Sequence, residues 1–148
     1  MKLQYSHDLP LPKESAFETL IDPLNLQNLL PGCESFECTG KNSYAFSNKV
    51  MFGPIEELYT ATLELIDINR PDAIRVIVIG DGTVGGIRAE AKVTFKGISN
   101  GTKVVVVGEA ELKGFLGSLG SAFIEETASN LLEKLFSSLK YKTKIYDK

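Results

Sequence analysis

The feature that most constrains this chain is a run of apolar and polar alternation that extends almost unbroken from Cys33 to Leu112. A period of two residues is typical of β-strands that bury one face. Turn-forming residues interrupt the run at positions 40–43, 53–54, 69–72, 80–86 and 100–101. The last of these, Asn100-Gly101, predicts a type I′ hairpin between antiparallel neighbours. The run therefore predicts six strands, and the short connections leave no room for the crossovers that parallel strands need.

The sequence on either side of this run predicts one more strand and the helices. Residues 2–9 alternate as a first strand. Residues 13–21 predict a short helix that ends at Asp22-Pro23, and residues 24–30 predict a second one that ends at Pro31-Gly32. Residues 118–145 carry one apolar stripe on an otherwise polar surface, which predicts a long amphipathic helix. We expect an α+β fold, with residues 1–148 forming one domain.

The composition excludes several kinds of site. The 148 residues contain one histidine and two cysteines, which rules out zinc sites built on several histidines. A formal net charge of −3 argues against a general nucleic-acid binder. No apolar run reaches the ~20 residues of a membrane span, and the amino terminus lacks the apolar core of a signal peptide. We expect a cytoplasmic protein without cofactor or metal.

The two cysteines, Cys33 and Cys38, lie in the second predicted strand. An odd spacing along a strand places side chains on opposite faces, which prevents a disulfide between them. We therefore expect two free thiols, as is usual in a reducing compartment.

The inner face of each predicted strand is taken to be the more apolar one. Several residues on these faces are too small to fill the ~10 Å between a sheet and a packed helix. Either the long helix approaches the sheet closely or an apolar cavity remains, and the residues leave both possibilities open. The candidate cavity residues are Phe17, Tyr44, Phe46, Asn48, Tyr59, Ala61, Val76, Val78, Ala89, Ala91, Val106, Gly108, Ala110, Phe123, Leu131 and Leu135.

Polar groups also fall on the predicted inner faces. They are His7, Asn48 and the hydroxyls of Tyr5, Tyr44 and Tyr59. Each either orients the polar end of a ligand or is satisfied within the core.

Two glycine clusters and a basic end carry weaker signals. Residues 80–85 spell the GxGxxG of a dinucleotide site, but a strand pattern follows where that site needs a helix. We expect a wide hairpin there that also gates a cavity mouth. Residues 114–120 predict the turn into the long helix, or an exposed apolar loop at Phe115-Leu116. Lysines in 140–148 complement the helix dipole, or attract anionic lipid or an acidic partner.

Short patterns spread over essentially the whole chain resemble one family. They are Asp22-Pro23, Leu30-Pro31-Gly32-Cys33-Glu34, Gly53-Pro54-Ile55 with Tyr59 and Leu63, Gly101-Thr102, and the run from Gly114 to Ala122. Together they resemble the CoxG family of carbon monoxide dehydrogenase subunits, in the START-like, polyketide-cyclase-like helix-grip superfamily. The resemblance implies a START-like, Bet v 1-like fold, in which a curved seven-stranded antiparallel sheet grips the carboxyl-terminal helix around an apolar cavity.

The resemblance also implies an accessory protein without catalysis. CoxG-like proteins serve molybdenum-containing carbon monoxide dehydrogenases or related hydroxylases, by recruiting the enzyme to the membrane or by handling a lipophilic quinone. Many members continue into a membrane-anchoring segment, whereas this sequence ends at Lys148. We therefore expect a soluble carrier of a lipid or quinone-like molecule, with at most peripheral membrane contact and a molybdenum hydroxylase as its partner. The alternatives are a pure adaptor for that enzyme and a polyketide cyclase or dehydratase that uses His7.

Overall fold

The structure, a computed structural model, describes residues 2–23, 26–27, 33–52, 54–82 and 85–146. The elements in chain order are β1 (Lys2–Leu9), α1 (Lys13–Ile21), β2 (Cys33–Gly40), β3 (Ser43–Phe52), β4 (Ile55–Asn69), β5 (Ala73–Gly82), β6 (Gly85–Ile98), β7 (Gly101–Leu112), a 3-10 helix (Gly114–Ser118) and α2 (Ser121–Tyr146). The predicted strands and first helix are confirmed. The second predicted short helix, 24–30, lies outside the described residues except for 26–27.

The strands form one seven-stranded antiparallel sheet in the order β1-β7-β6-β5-β4-β3-β2. Successive strands are neighbours from β2 to β7, and β1 closes onto β7, so the chain folds as a meander with one long-range pairing. The register places Tyr44 opposite Leu63, and Val78 opposite Ala89. The predicted inner faces therefore do share one face of the sheet, and the fold is of the helix-grip kind.

One end of the sheet is filled by α1, and we call it the closed end. Leu9, Phe17, Ile74 and Val104 are at most 1% exposed there. The Phe17 ring meets that of Phe95 edge to face, with 5.0 Å between centroids. An aromatic pair of this geometry adds about 1 kcal/mol to the burial of its surface. The closed end is therefore a close-packed core.

The long helix α2 packs against β1 and α1. Phe136 is 2% exposed, and its ring stacks on those of Tyr5 and His7, with centroids 5.8 and 5.5 Å apart. This stack fixes the helix over the β1 side of the sheet. None of the described helices is both long and apolar enough to cross a membrane.

The turn between β6 and β7 differs from the prediction. Ile98 pairs with Gly101, so Ser99 and Asn100 form the two-residue loop. Only Gly101 has a positive φ, of 149°, whereas a type I′ turn needs positive φ at both loop residues. The predicted antiparallel pairing is confirmed and the predicted turn type is wrong.

The faces of the two cysteines also differ from the prediction. A bulge between Cys33 and Ser35 shifts the register, so that Cys33 lies opposite Asn48 while Cys38 lies opposite Tyr44. Both partners belong to the inner face of β3, so the two cysteines lie on the same face of the sheet. The extra residue of a bulge reverses the alternation of a strand, which explains the difference. The thiols are free, as predicted.

Candidate functional site

The burial of the inner-face residues decreases with distance from the closed end. Near the closed end, Ile74, Val93 and Val104 are at most 5% exposed. Farther along the same face, several residues are only half-buried, and they are Ala61, Val76, Val78, Ala89 and Ala91. Strands β4, β5 and β6 have neighbours on both sides, so the remaining exposure of these residues faces the space between the sheet and α2. These residues are therefore less completely covered than those near the closed end.

The position of α2 accounts for this difference in burial. The stack of Phe136 on Tyr5 and His7 holds the helix at β1, which is one edge of the sheet. Strands β6, β5 and β4 lie two, three and four positions away from β1 in the sheet order, and neighbouring strands are about 4.8 Å apart. The helix therefore covers the β1 side of the inner face more closely than the half-buried residues.

Small residues on this face have two different causes. A Cβ on Gly108 would lie 2.5 Å from the Glu90 carbonyl oxygen and 2.8 Å from the Ala91 Cβ, so glycine is required where β7 comes close to β6. Ala110 is 5% exposed and hence packed. Gly108 thus allows the close approach of β7 to β6, whereas Ala89 and Ala91 are small and half-buried.

Aromatic rings from β2 and β3 form one side of the site. Tyr44 and Phe46 are 4% and 8% exposed, and Phe36 stacks on them with centroids 5.2 and 6.4 Å away. Burial raises the pKa of the Tyr44 hydroxyl, which keeps it neutral. Phe36 is not among the predicted site residues, although its position opposite Phe46 follows from strand alternation once the bulge of β2 is known.

Tyr59 lies at the other end of the sheet, which we call the open end and define by the β5–β6 hairpin and the 3-10 helix. Its hydroxyl donates to the Gly85 carbonyl at 3.2 Å, and a Cβ on Gly82 would lie 3.1 Å from its ring. Burial, and then nearby carboxylates, raise the pKa of Tyr59. The Lys113 amide donates to the Gly86 carbonyl at 2.9 Å and holds the same hairpin. A strand, not a helix, follows these glycines, so the GxGxxG motif does not form a nucleotide site.

The polar candidates on β1, Tyr5 and His7, lie side by side on the inner face. The Tyr5 hydroxyl lies 3.3 Å from His7 Nδ1, and both rings contact Phe136. Burial and then the charge of Glu133 raise the pKa of Tyr5. Asn48 is half-buried opposite Tyr59.

Two predicted cavity residues differ in exposure from the half-buried ones. Phe17 has no exposed surface and belongs to the core of the closed end. Phe123 is 38% exposed, whereas the next residue, Ile124, is 7% exposed. The predicted stripe is wrong here because Ile124 shares one face of α2 with Leu132 and Phe136, at multiples of four residues, and Phe123 lies beside that face. Val106 is buried on the inner face, and the side chains of Leu131 and Leu135 lie outside the described part of the structure.

Solved structures of similar fold come from several bacteria. A conserved protein from Geobacillus kaustophilus aligns with a TM-score of 0.91 at 24% identity, covering 96% of this chain and 94% of that chain. A Thermus thermophilus protein aligns at 0.72 and 18%, covering 100% of both chains. The Zhui aromatase/cyclase from a Streptomyces species aligns at 0.62 and 14%, covering 95% of this chain and 89% of that chain. At these identities the likeness shows the fold alone.

The sequence itself identifies the family. No curated protein matches the chain. The family model that describes CoxG, the G subunit of carbon monoxide dehydrogenase, matches residues 6–144, which is nearly the whole chain. The chain therefore belongs to the CoxG family.

Proposed function

We propose that this protein is a non-enzymatic, cytoplasmic carrier that binds a lipid or quinone-like molecule between the sheet and α2 and serves a molybdenum-containing, carbon monoxide dehydrogenase-type enzyme. The observation that carries the proposal is the set of half-buried residues on the inner face of β4 to β6, of which Ala61, Ala89 and Ala91 are the smallest. Ligand sites are concave, largely apolar and supplied with few polar groups, and this face has that composition.

The composition of the lining favours an apolar ligand. The described residues bordering the space are alanines and valines, with aromatic rings on the β2–β3 side. Burial raises the pKa of Tyr44 and of Tyr59, which leaves neutral hydroxyls rather than charges at the edges of the site. A charged ligand would find no compensating charge on this described lining, and burying an uncompensated charge is strongly unfavourable. A neutral quinone or acyl chain would carry no such cost.

The family supports the partner. Its description names a subunit of carbon monoxide dehydrogenase, and a carrier bound to such an enzyme would exchange a lipophilic molecule with it. The arrangement of His7 supports a non-catalytic role, because its ring is stacked on Phe136 where α2 joins β1.

The ligand is tested with purified protein and a matched pair of variants. We expect solvent extraction and native mass spectrometry to find a lipid or quinone, and the emptied protein to bind decylubiquinone. Ala89→Ile fills the space and weakens decylubiquinone binding, whereas Thr94→Ile adds apolar bulk to the outer face of the same strand and leaves binding unchanged. Equal binding by both variants would place the ligand elsewhere, and failure to bind any lipid or quinone would refute the carrier role.

The partner is tested separately. We expect the purified chain to bind immobilised carbon monoxide dehydrogenase encoded in the same genome, and to do so with and without ligand. Absence of binding, with ligand binding intact, would leave a carrier and remove the accessory role.

A further inference from the structure

The inner face becomes polar toward the open end, beyond the half-buried alanines and valines. Asn48 on β3 lies opposite Tyr59 on β4 and opposite Cys33 on β2, and we call these three residues the polar row. From this row the strands run four residues, or about 13 Å, before they reach Val78 and Ala89. A molecule between the sheet and α2 therefore meets apolar side chains along its length and polar ones at the open end.

The members of the polar row differ in what they can offer a ligand. The Tyr59 hydroxyl donates to the Gly85 carbonyl at 3.2 Å, and the Cys33 thiol donates to the Ser35 carbonyl at 3.3 Å. Each of these groups has a single hydrogen, so both are already used as donors. The half-buried Asn48 amide has two N–H bonds, so it can keep a protein partner and still donate to a ligand. The polar row therefore suits a ligand that ends in a hydrogen-bond acceptor.

A carboxylate lies beside the polar row. The pairing of β3 with β4 is continuous here, so Glu57, two residues before Tyr59, lies on the inner face and Glu56 on the outer face. Glu57 is half-buried, whereas Glu56 is exposed. Burial raises the pKa of Tyr59, and the charge of Glu57 raises it further. The negative charge of Glu57 is therefore felt at the polar row.

The basic residues at this end lie elsewhere on the sheet. Lys49 is on the outer face of β3 and pairs with Glu34 at 3.4 Å. Arg88 is on the outer face of β6, and Lys113 follows the end of β7, three strand spacings or about 14 Å from β4. None of the described inner-face residues of β2 to β7 at the open end is basic. A ligand end bound at the polar row therefore approaches the carboxylate of Glu57.

Given the proposed carrier role, on which this inference rests, we propose that Asn48 and Glu57 select the head of the carried molecule. Its head is neutral and accepts a hydrogen bond from Asn48, and its tail extends toward Ala89. Diagonal neighbours on paired strands, such as Asn48 and Glu57, are about 7 Å apart. At that distance an anionic head in a partly buried site is repelled enough to weaken its binding about tenfold. A ketone or ester carbonyl accepts the same hydrogen bond without this repulsion.

Probes that share one tail and differ in the head test this selection. Undecanoate, which is ionised at neutral pH, and its methyl ester each compete with decylubiquinone for the lipid-free protein. We expect the ester to compete about tenfold better than the acid. Glu57→Gln should bring the acid close to the ester. Glu56→Gln, the same charge change one residue away on the outer face, should keep the full difference.

Asn48 is tested with a second pair of probes. Decylbenzene has a ring and the same tail as decylubiquinone, but it has no carbonyl. Asn48→Leu keeps the size of the side chain and removes the amide, so the preference for decylubiquinone over decylbenzene should fall about fivefold. Melting temperatures of the variants check that the sheet is intact.

Several results would overturn this assignment of the head. They are equal binding of acid and ester by the unaltered protein, tighter binding of decyltrimethylammonium than of the ester, the same response in Glu56→Gln as in Glu57→Gln, or an unchanged preference for decylubiquinone in Asn48→Leu. In each of these cases decylubiquinone still binds and the carrier role stands. Failure of every probe to bind, decylubiquinone included, would refute the carrier role and the head-group site with it.

Discussion

Replacing Ala89 by isoleucine distinguishes an open cavity from a packed core, because the two predict opposite signs for the change in stability. Ala89 is half-buried on β6, between Val78 on β5 and Ala110 on β7. Isoleucine adds about three methylene equivalents, each contributing about 0.8 kcal/mol when fully buried. Since the site is half-buried, we expect a gain of about 1 kcal/mol, or roughly 3 °C in melting temperature for a chain of this size.

Ala110→Ile is the matched control for this measurement. Ala110 faces the same side one strand away, but it is 5% exposed. Adding the same atoms to a filled site costs about 1–3 kcal/mol. Both variants gain the same strand propensity, so that contribution cancels between them. Denaturant unfolding of the lipid-free proteins measures both changes, and destabilisation of Ala89→Ile to the same extent as Ala110→Ile would show that the space beneath β6 is filled.

Three further predictions each concern one buried side chain. Thr102 is fully buried and donates to the Leu11 carbonyl at 2.7 Å, so Thr102→Val should lower the free energy of unfolding by about 1–3 kcal/mol through the unpaired carbonyl, and a change near zero would be inconsistent with that bond. Tyr59→Phe removes the hydrogen bond to Gly85 and should cost about 1 kcal/mol, with faster amide exchange confined to the β5–β6 hairpin; uniform acceleration would indicate a global effect instead. Burial raises the pKa of Tyr44 above 10.0 in the folded protein, so the unfolded state loses that proton first and the free energy of unfolding falls as pH rises through and above this value. Denaturant unfolding below and above pH 10 should show that fall, and Tyr44→Phe should reduce it.

The sheet was predictable because turn residues mark its strand ends. Each break in the alternation between Cys33 and Leu112 carries glycine, proline or asparagine, and the faces of β3, β5, β6 and β7 follow from parity once the ends are known. The register of β4 shifts between Ile66 and Asn69. The bulge in β2 has no such mark, since Glu34 resembles any exposed strand residue. The bulge reverses the face of Cys33, and Phe36 is absent from the predicted site residues. A one-residue bulge that no turn residue marks is therefore harder to predict from the sequence than a turn.

The site was harder to predict than the sheet because its limits depend on tertiary packing. Phe123 and Ile124 are apolar neighbours at the start of α2, and the packing of the helix against the sheet decides which of them is buried. Gly108 and Ala89 are both small, yet one is required by the approach of β7 to β6 and the other is only half-buried. Residue size alone does not separate a bend from a cavity; the distance to the neighbouring strand does.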